Sequence, residues 1–187
     1  MSPVSYPDAA LMLRAQRGDA AAFEDLVRRH QRGVINLVYR YLGRADLAED
    51  GAQDVFVRIY QARASYRPEA KFTTWLYRIA VNYCLNEIRD RARQKAESLT
   101  QEDGDRELRD PAGRTPTELL RKEELREAVM RALEKLPANQ RLAVLLYRYQ
   151  GMSYREIAES LDVTEKAVKS LIARAKENLK DLLKRWV

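Results

Sequence analysis

The chain has 187 residues, 33% of them charged, and its 34 Lys and Arg outnumber its 28 Asp and Glu by a net +6. An apolar content of 45% excludes a wholly disordered chain, and 7 Gly with 6 Pro, about half the usual share, favour helices over a turn-rich β architecture. The longest stretch without Lys, Arg, Asp or Glu is the eight residues Ile79 to Asn86, against about 20 needed to cross a bilayer, so no membrane insertion is expected. No secretory leader is visible at the start. One cysteine, Cys84, and one histidine, His30, exclude an internal disulfide and a His/Cys zinc site. They leave no expected catalytic residue, metal or cofactor and point to a reducing cytoplasm. His30 lies among Arg28, Arg29 and Arg32 and reads as a solvated surface histidine.

The excess charge is uneven. Residues 1–96 carry 16 basic and 11 acidic side chains, residues 97–118 carry 3 and 7, and residues 119–187 carry 15 and 10. Two lobes of +5 therefore flank a tether of −4. The tether holds Gly104, Pro111, Gly113 and Pro116 and few large apolar residues. It cannot bury enough surface to offset its ordering entropy and reads as a flexible acidic linker.

The first lobe, 1–96, reads as four helices. Asp8 is placed to cap a first helix around Leu11 and Leu13, ended by Gly18. A second starts from Asp19, with Phe23, Leu26, Val27, Val34, Leu37, Val38 and Tyr41 near helical spacing until Gly43. Asp46 is placed to cap a third, whose stripe is Ala52, Val55, Phe56 and Ile59 and whose other faces carry Glu49, Asp50, Gln53 and Asp54. After Tyr66-Arg67-Pro68, Thr73 or Thr74 can cap a fourth, running to about Arg93.

Counting from Trp75, the residues Leu76, Ile79, Ala80 and Tyr83 of the fourth helix fall within an arc of about 100°, which faces the core. Trp75, Arg78, Asn82, Asn86, Arg89 and Arg93 fall in a separate arc of about 80°. An aromatic ring with amides and guanidinium groups in one row suits single-stranded nucleic acid, because bases stack on rings, amides read base edges and cations hold phosphates. A solvated face with one packed tryptophan is the alternative, and geometry alone does not separate the two.

The second lobe, 119–187, opens with the capping box Thr115-Pro116-Thr117-Glu118 ahead of a helix through Leu125, Val129, Leu133 and Leu136. The next helix, about Asn139 to Tyr149, carries Leu142, Leu145 and Leu146 and ends at Gly151. Ser153-Tyr154-Arg155-Glu156 is another capping box, opening a short helix with Ile157, Ala158 and Leu161. After Asp162-Val163, Thr164 caps a last helix to about Lys184. A short helix, tight turn and longer basic helix make a helix-turn-helix pattern, whose second helix enters the DNA major groove. Residues 166–187 hold 7 basic and 2 acidic groups, the lobe's whole excess. Leu171, Ile172, Ala175, Leu179 and Leu182 share an apolar arc with Val168, while Lys166, Lys169, Ser170, Arg174 and Lys176 lie outside it.

Phe72-Thr73-Thr74-Trp75-Leu76-Tyr77-Arg78-Ile79-Ala80-Val81-Asn82 resembles the start of the promoter-melting segment of extracytoplasmic-function (ECF) sigma factors. Leu136-Pro137, Gln140-Arg141 and Gly151-Met152-Ser153-Tyr154-Arg155-Glu156-Ile157-Ala158 resemble the same family's C-terminal domain, in the family's order and separation. The resemblance runs from about Ala10 to Leu183. It implies an all-α fold of two helical domains, four-helix sigma region 2 and helix-turn-helix sigma region 4, joined by the linker. It implies a transcription initiation factor that binds core RNA polymerase, recognises the minus-ten and minus-thirty-five promoter elements and promotes strand opening, in a stress or envelope-type response.

Residue by residue, the resemblance implies that the segment matching Asp46 to Gln61 binds the polymerase beta-prime clamp helices, through Glu49, Asp50, Gln53 and Asp54. The loop matching Tyr66 to Lys71 would pocket a flipped base of the non-template single strand, lined by Tyr66 and Asn82. Extruding that base costs a few kcal/mol, which gives a ring and an amide a physical task there. The minus-ten set is thus Tyr66, Lys71, Trp75, Arg78, Asn82, Asn86 and Arg89. This loop carries Pro68-Glu69-Ala70-Lys71 where family members often have a Gly, Asp or Ser run. Lys166, Lys169, Ser170, Arg174 and Lys176 match positions that face duplex DNA at the minus-thirty-five element. Leu171 stands where a basic residue is common and reads as core. The beta flap is the implied polymerase contact of region 4, and an anti-sigma factor is a further implied partner. Two other classes stay open. A stand-alone helix-turn-helix regulator would bind duplex tightly by itself, usually as a dimer on paired half-sites. A helical adaptor without a nucleic-acid role would show binding that barely depends on salt.

Overall fold

The structure, a computed structural model, describes residues 7–98 and 118–186. Among them all regular structure is helical. In chain order the helices are α1 (Pro7–Gln16), α2 (Ala20–Leu42), α3 (Ala48–Gln61), α4 (Phe72–Ser98), α5 (Glu118–Glu134), α6 (Ala138–Gln150), α7 (Tyr154–Leu161) and α8 (Glu165–Leu182), with a 3₁₀ turn at Arg63–Ser65 between α3 and α4.

Several boundaries follow the expected cap chemistry. Asp19 accepts the Ala22 N–H at 3.0 Å and opens α2, which Gly43 ends in the left-handed region at φ 70°. A side chain there would be strained, so glycine suits this stop. Gly151 ends α6 in the same way at φ 64°, and the Met152 N–H reaches back to the Leu146 carbonyl. The capping box of α7 is complete: the Ser153 N–H donates to Glu156 at 2.7 Å and the Glu156 N–H donates to the Ser153 hydroxyl at 3.3 Å. Thr164 caps α8 by accepting the Ala167 N–H at 3.2 Å.

Other boundaries depart from expectation, two of them because a competing partner takes the aspartate. Asp8 lies inside the first turn of α1 and binds Arg29 at 3.0 Å and His30 at 2.9 Å. That pairing also corrects His30, whose side chain is 15% exposed and lies 5.5 Å from the Phe72 ring. Asp46 is drawn to Arg44, and α3 begins behind Leu47 without a side-chain cap. Helix α4 starts a little earlier than a threonine cap would set it, at Phe72; Thr73 and Thr74 are helical, and the Thr74 N–H bonds the Lys71 carbonyl at 3.0 Å. It continues to Ser98, so the first residues of the expected linker are helical. Residues 99–117, with most of the linker and the expected capping box at Thr115, lie outside the described residues.

The first lobe packs α1–α4 around Met12, Leu26, Val38, Tyr41, Val55, Ile59 and Leu76, and the second packs α5–α8 around Leu133, Leu142, Leu145, Ile157, Val168 and Ile172. Each fully buried aliphatic side chain contributes roughly 1.5–3 kcal/mol relative to exposure. The two cores are continuous. Helix α2 meets α5 and α6, and α4 meets α7. Arg141 is only 5% exposed in this seam; it donates to the Arg40 carbonyl at 2.9 Å, and its guanidinium lies 5.2 Å from the Tyr41 ring centre.

Candidate nucleic-acid interface

Helix α4 is packed on more of its circumference than its apolar arc suggests. Leu76, Ala80 and Tyr83 are buried as expected, and so are Tyr77, Val81 and Cys84 on the flank beyond that arc. The row from Trp75 remains available. Arg78, Asn82 and Arg89 are exposed, Trp75 and Asn86 are half-buried, and Lys71 before the helix is exposed. Trp75 is held from below by two rings, Tyr66 at 5.2 Å and Phe72 at 6.2 Å between centroids. An aromatic ring fixed on one side with an open edge is suited to stack one base.

Tyr66 differs from the expectation of a ring lining an open pocket. It is 1% exposed, and burial is the main reason its phenol is pushed above the usual value. Its ring joins the hydrophobic core because it must support Trp75 and Phe72. The loop after it is anchored from α1, where the Gln16 amide donates to the carbonyls of Arg63 at 2.6 Å and Tyr66 at 2.9 Å. No local pattern could reveal this, since those partners lie 47 and 50 residues away in sequence. Arg67, absent from the expected set, donates to the Ala64 and Tyr66 carbonyls at 3.1 Å and stands beside Trp75 and Arg78 in an open cleft of about 460 Å³.

Elsewhere in the lobe, Glu49, Asp50, Gln53 and Asp54 are all exposed along α3. Glu49 and Gln53 edge a groove of about 700 Å³ between α2 and α3, whose apolar walls include Phe23, Val27, Phe56, Val57 and Tyr60. Val57 is 52% and Tyr60 41% exposed. Sequence reading assigned the polar face but missed these two. Their signal was present: both lie off the buried stripe of an otherwise amphipathic helix.

In the second lobe, Lys166, Lys169, Ser170, Arg174 and Lys176 are exposed, while Val168, Ile172 and Ala175 are buried. Helix α8 thus presents a basic outer surface over a packed inner one. Leu171 is half-buried against the core, as read. Lys176 leans over the Tyr147 ring at 5.8 Å and so sits toward α6, away from Ser170 and Arg174.

The first half of the helix-turn-helix faces the other lobe. The Ser160 hydroxyl of α7 lies 2.8 Å from the Glu156 carbonyl of its own helix and 3.2 Å from the Thr74 carbonyl, which share its one proton, and Lys71 pairs with Glu156 at 2.9 Å. Burial opposes ionisation of Glu156, but Lys71 and two Ser153 hydrogen bonds overcome it and hold the carboxyl below its usual value. Glu159 and Asp162 close the cleft that holds Arg67, Trp75 and Arg78.

Hydrolytic or redox groups have no such assembly among the described residues. No three His, Cys, Asp or Glu side chains gather at metal-binding distance. Burial pushes the Cys84 thiol up to about 12, so it is not an activated nucleophile. No described helix is long and apolar enough to cross a membrane.

Comparison with known proteins assigns the two lobes. The Sigma-70 region 2 family model matches residues 26–94, and the Sigma-70 region 4 model matches residues 126–179. The chain is 37% identical over 179 residues to the ECF RNA polymerase sigma-E factor of Escherichia coli K12, covering 91% of each chain. It is 35% identical over 176 residues to the RNA polymerase sigma-H factor of Pseudomonas aeruginosa, covering 91% of this chain and 90% of that one. Among solved structures, CnrH in complex with the cytosolic domain of CnrY aligns with 96% of this chain and 99% of its own, at TM-score 0.71 and 26% identity.

Proposed function

The chain belongs to the ECF sigma factors, RNA polymerase subunits that recognise promoters, and from that premise we propose how its residues divide the work. The first lobe, 1–96, binds core polymerase and holds the melted minus-ten strand. The second, 119–187, docks on the minus-thirty-five duplex and on the beta flap. Residues 97–118 connect them. The protein has no active site of its own, works without a cofactor in the cytoplasm, and leaves the chemistry to polymerase.

The observation that carries this reading is the α4 row. Trp75 stands on the Tyr66 and Phe72 rings, and Arg78, Asn82, Asn86 and Arg89 follow it at successive turns. Stacking on the indole is worth about 1–3 kcal/mol per base, comparable with the few kcal/mol needed to unstack one. The guanidinium groups behind it hold the strand's phosphates, and the Asn82 amide meets a base edge. Lys71 and Arg67 border the loop that receives the extruded base, with Tyr66 as the support beneath it. The row is amphipathic in the sense strand capture requires: one fixed ring, then polar groups.

Glu49, Asp50, Gln53 and Asp54 contact the beta-prime clamp helices, and the α2–α3 groove beside them takes the clamp's apolar side chains at Val57 and Tyr60. On α8, Lys166, Lys169, Ser170 and Arg174 approach the major groove, and Lys176 lies at the edge of that footprint. CnrH is in complex with the cytosolic domain of CnrY, and an anti-sigma factor is a proposed partner here, as is a role in an envelope or stress response. Transcription in vitro from a promoter library with core polymerase tests the assignment. Transcripts that appear only when this protein is added, from templates sharing two spaced elements, are the expected result. Tight, specific duplex binding by the lone protein, without added transcripts, would favour a stand-alone regulator.

A further inference from the structure

The loop between α3 and α4 is fixed at its start by a residue that belongs to neither helix. Gln16 is the last residue of α1 and is half-buried. The turn after it is closed by the Gly18 N–H on the Ala15 carbonyl at 3.1 Å and by the Arg14 guanidinium on Asp19 at 2.7 Å, so the helix end is held on both sides of Gln16. The Gln16 side-chain nitrogen donates to the Arg63 carbonyl at 2.6 Å and to the Tyr66 carbonyl at 2.9 Å. Carbonyls only accept, so the amide must present its NH2 group, and both of its hydrogens are used. The two carbonyls bracket the 3₁₀ turn Arg63–Ser65. The second belongs to the residue whose ring supports Trp75.

The Tyr66 carbonyl has a second side-chain donor. Arg67 lends one guanidinium nitrogen to it and to the Ala64 carbonyl, each at 3.1 Å. A carbonyl oxygen has two lone pairs, and Gln16 and Arg67 take both. The two donors are committed differently. Gln16 reaches in from another helix, 50 residues away in sequence. Arg67 is exposed, bonds only within its own loop, and borders the open cleft beside Trp75 and Arg78. Its guanidinium gains by exchanging a neutral carbonyl for a phosphate, since a bond between two charges is the stronger one. Without Gln16, that exchange would strip the carbonyl of a buried residue of its side-chain donors, which opposes the move.

We infer that Gln16 is a positioning residue for base choice. It fixes the backbone from Arg63 to Tyr66, so that the loop from Arg67 to Lys71 presents one shape to the extruded base. It also keeps the Tyr66 carbonyl satisfied when Arg67 turns to the strand's phosphates. The role rests on that loop being the one that receives the base. Gln16 acts through Tyr66 and Arg67 rather than on the strand itself. Its loss therefore relaxes which base is preferred at the captured position and leaves in place the footprint that α4 carries.

Holoenzyme assembled from core polymerase and the full chain tests this with fluorescein-labelled minus-ten single strands, from a promoter the protein opens, carrying each base at each position in turn. Anisotropy gives the affinity for every strand. Gln16→Met keeps the side chain's length and removes both donors, and Gln16→Glu keeps its shape and replaces them with acceptors. Circular dichroism checks folding; if neither variant folds, Gln16→Asn withdraws the same amide by one methylene and is read in the same way. At one position the wild-type preference of roughly tenfold is expected to shrink to about twofold in the variants, with the other positions unchanged. The salt slope should fall by about 0.7, one phosphate contact on a single strand. Arg67→Ala should lower the slope equally in the wild type and no further in Gln16→Met. A preference that survives in the folded variants, or an equal weakening for every base at every position, overturns the positioning role. A wild type without preference at any position also overturns it, and alone, provided that binding depends on Trp75. Binding indifferent to Trp75→Ala overturns the strand-reading assignment and the positioning role with it.

Discussion

Helices α4 and α8 carry the two proposed DNA rows, yet they sit in the molecule differently. Helix α8 has one packed face and one solvated face: Val168, Ile172 and Ala175 are buried and Lys166, Lys169, Ser170 and Arg174 are exposed. Helix α4 is packed on two sides, against α2 and α3 on one and against α7 on the other. A basic row on a half-buried helix is free to meet a long, stiff duplex. The α4 row instead borders an interlobe cleft, where an aromatic ring can be held rigid and water partly excluded. The difference suits their proposed tasks, since reading duplex needs an exposed ridge and holding an extruded base needs a supported ring.

The largest effects should come from breaking what only the first lobe does. Asp50→Arg with Asp54→Arg reverses two exposed charges on α3 and is expected to abolish co-purification with core polymerase. Arg174→Glu on α8 should leave co-purification largely intact. Equal loss from both would erase the proposed division of labour. Next in size, Trp75→Ala or Asn82→Ala should leave polymerase binding unchanged and slow open-complex formation, by about tenfold for the tryptophan, corresponding to roughly 1.4 kcal/mol. Unchanged opening rates would return the row to a solvated face.

Lys169→Ala should act more weakly. Losing one phosphate contact lowers the salt dependence of promoter binding by about one unit of slope, and transcription should fall a few-fold on promoters that depend on the upstream element. An unchanged slope would remove Lys169 from the interface. The smallest effect concerns the contact between the lobes. Glu156 has its carboxyl held below the ordinary 4.5 in the folded chain. Its contribution to stability is therefore present above that value and is lost as pH falls through the lower, folded one. Melting temperature should drop more steeply on acidification in the wild type than in Glu156→Gln. Parallel curves would show that the Lys71 pair contributes nothing measurable, as many exposed ion pairs do not.

What was legible beforehand follows the same contrast. Periodicity and caps placed α2, α6, α7 and α8 closely, because Asp19, Gly43, Gly151, Ser153 and Thr164 act within their own helix ends. The polar face of α3 and the core role of Leu171 were legible for the same reason. Asp8 and Asp46 misled because Arg29, His30 and Arg44 compete for their carboxylates. The burial of Tyr66 and the seam groups Tyr77, Arg141, Gln150 and Ser160 could not be read. Each depends on partners across the fold, and a helical wheel shows one helix at a time. An apolar Tyr77 and Val81 beyond the main arc of α4 were the sequence's trace of that second packing surface.

The central claim is that the first lobe holds the melted strand while the second docks on duplex. Footprinting complexes of core polymerase with this protein on one promoter, probing upstream protection and permanganate reactivity of the melted thymines together, tests it most directly. With Trp75→Ala, reactivity is predicted to fall while upstream protection persists. With Lys169→Ala, upstream protection should weaken, with reactivity falling only in proportion to occupancy. Melting that survives Trp75→Ala at full occupancy, or upstream protection lost with Trp75 rather than with Lys169, would contradict the account.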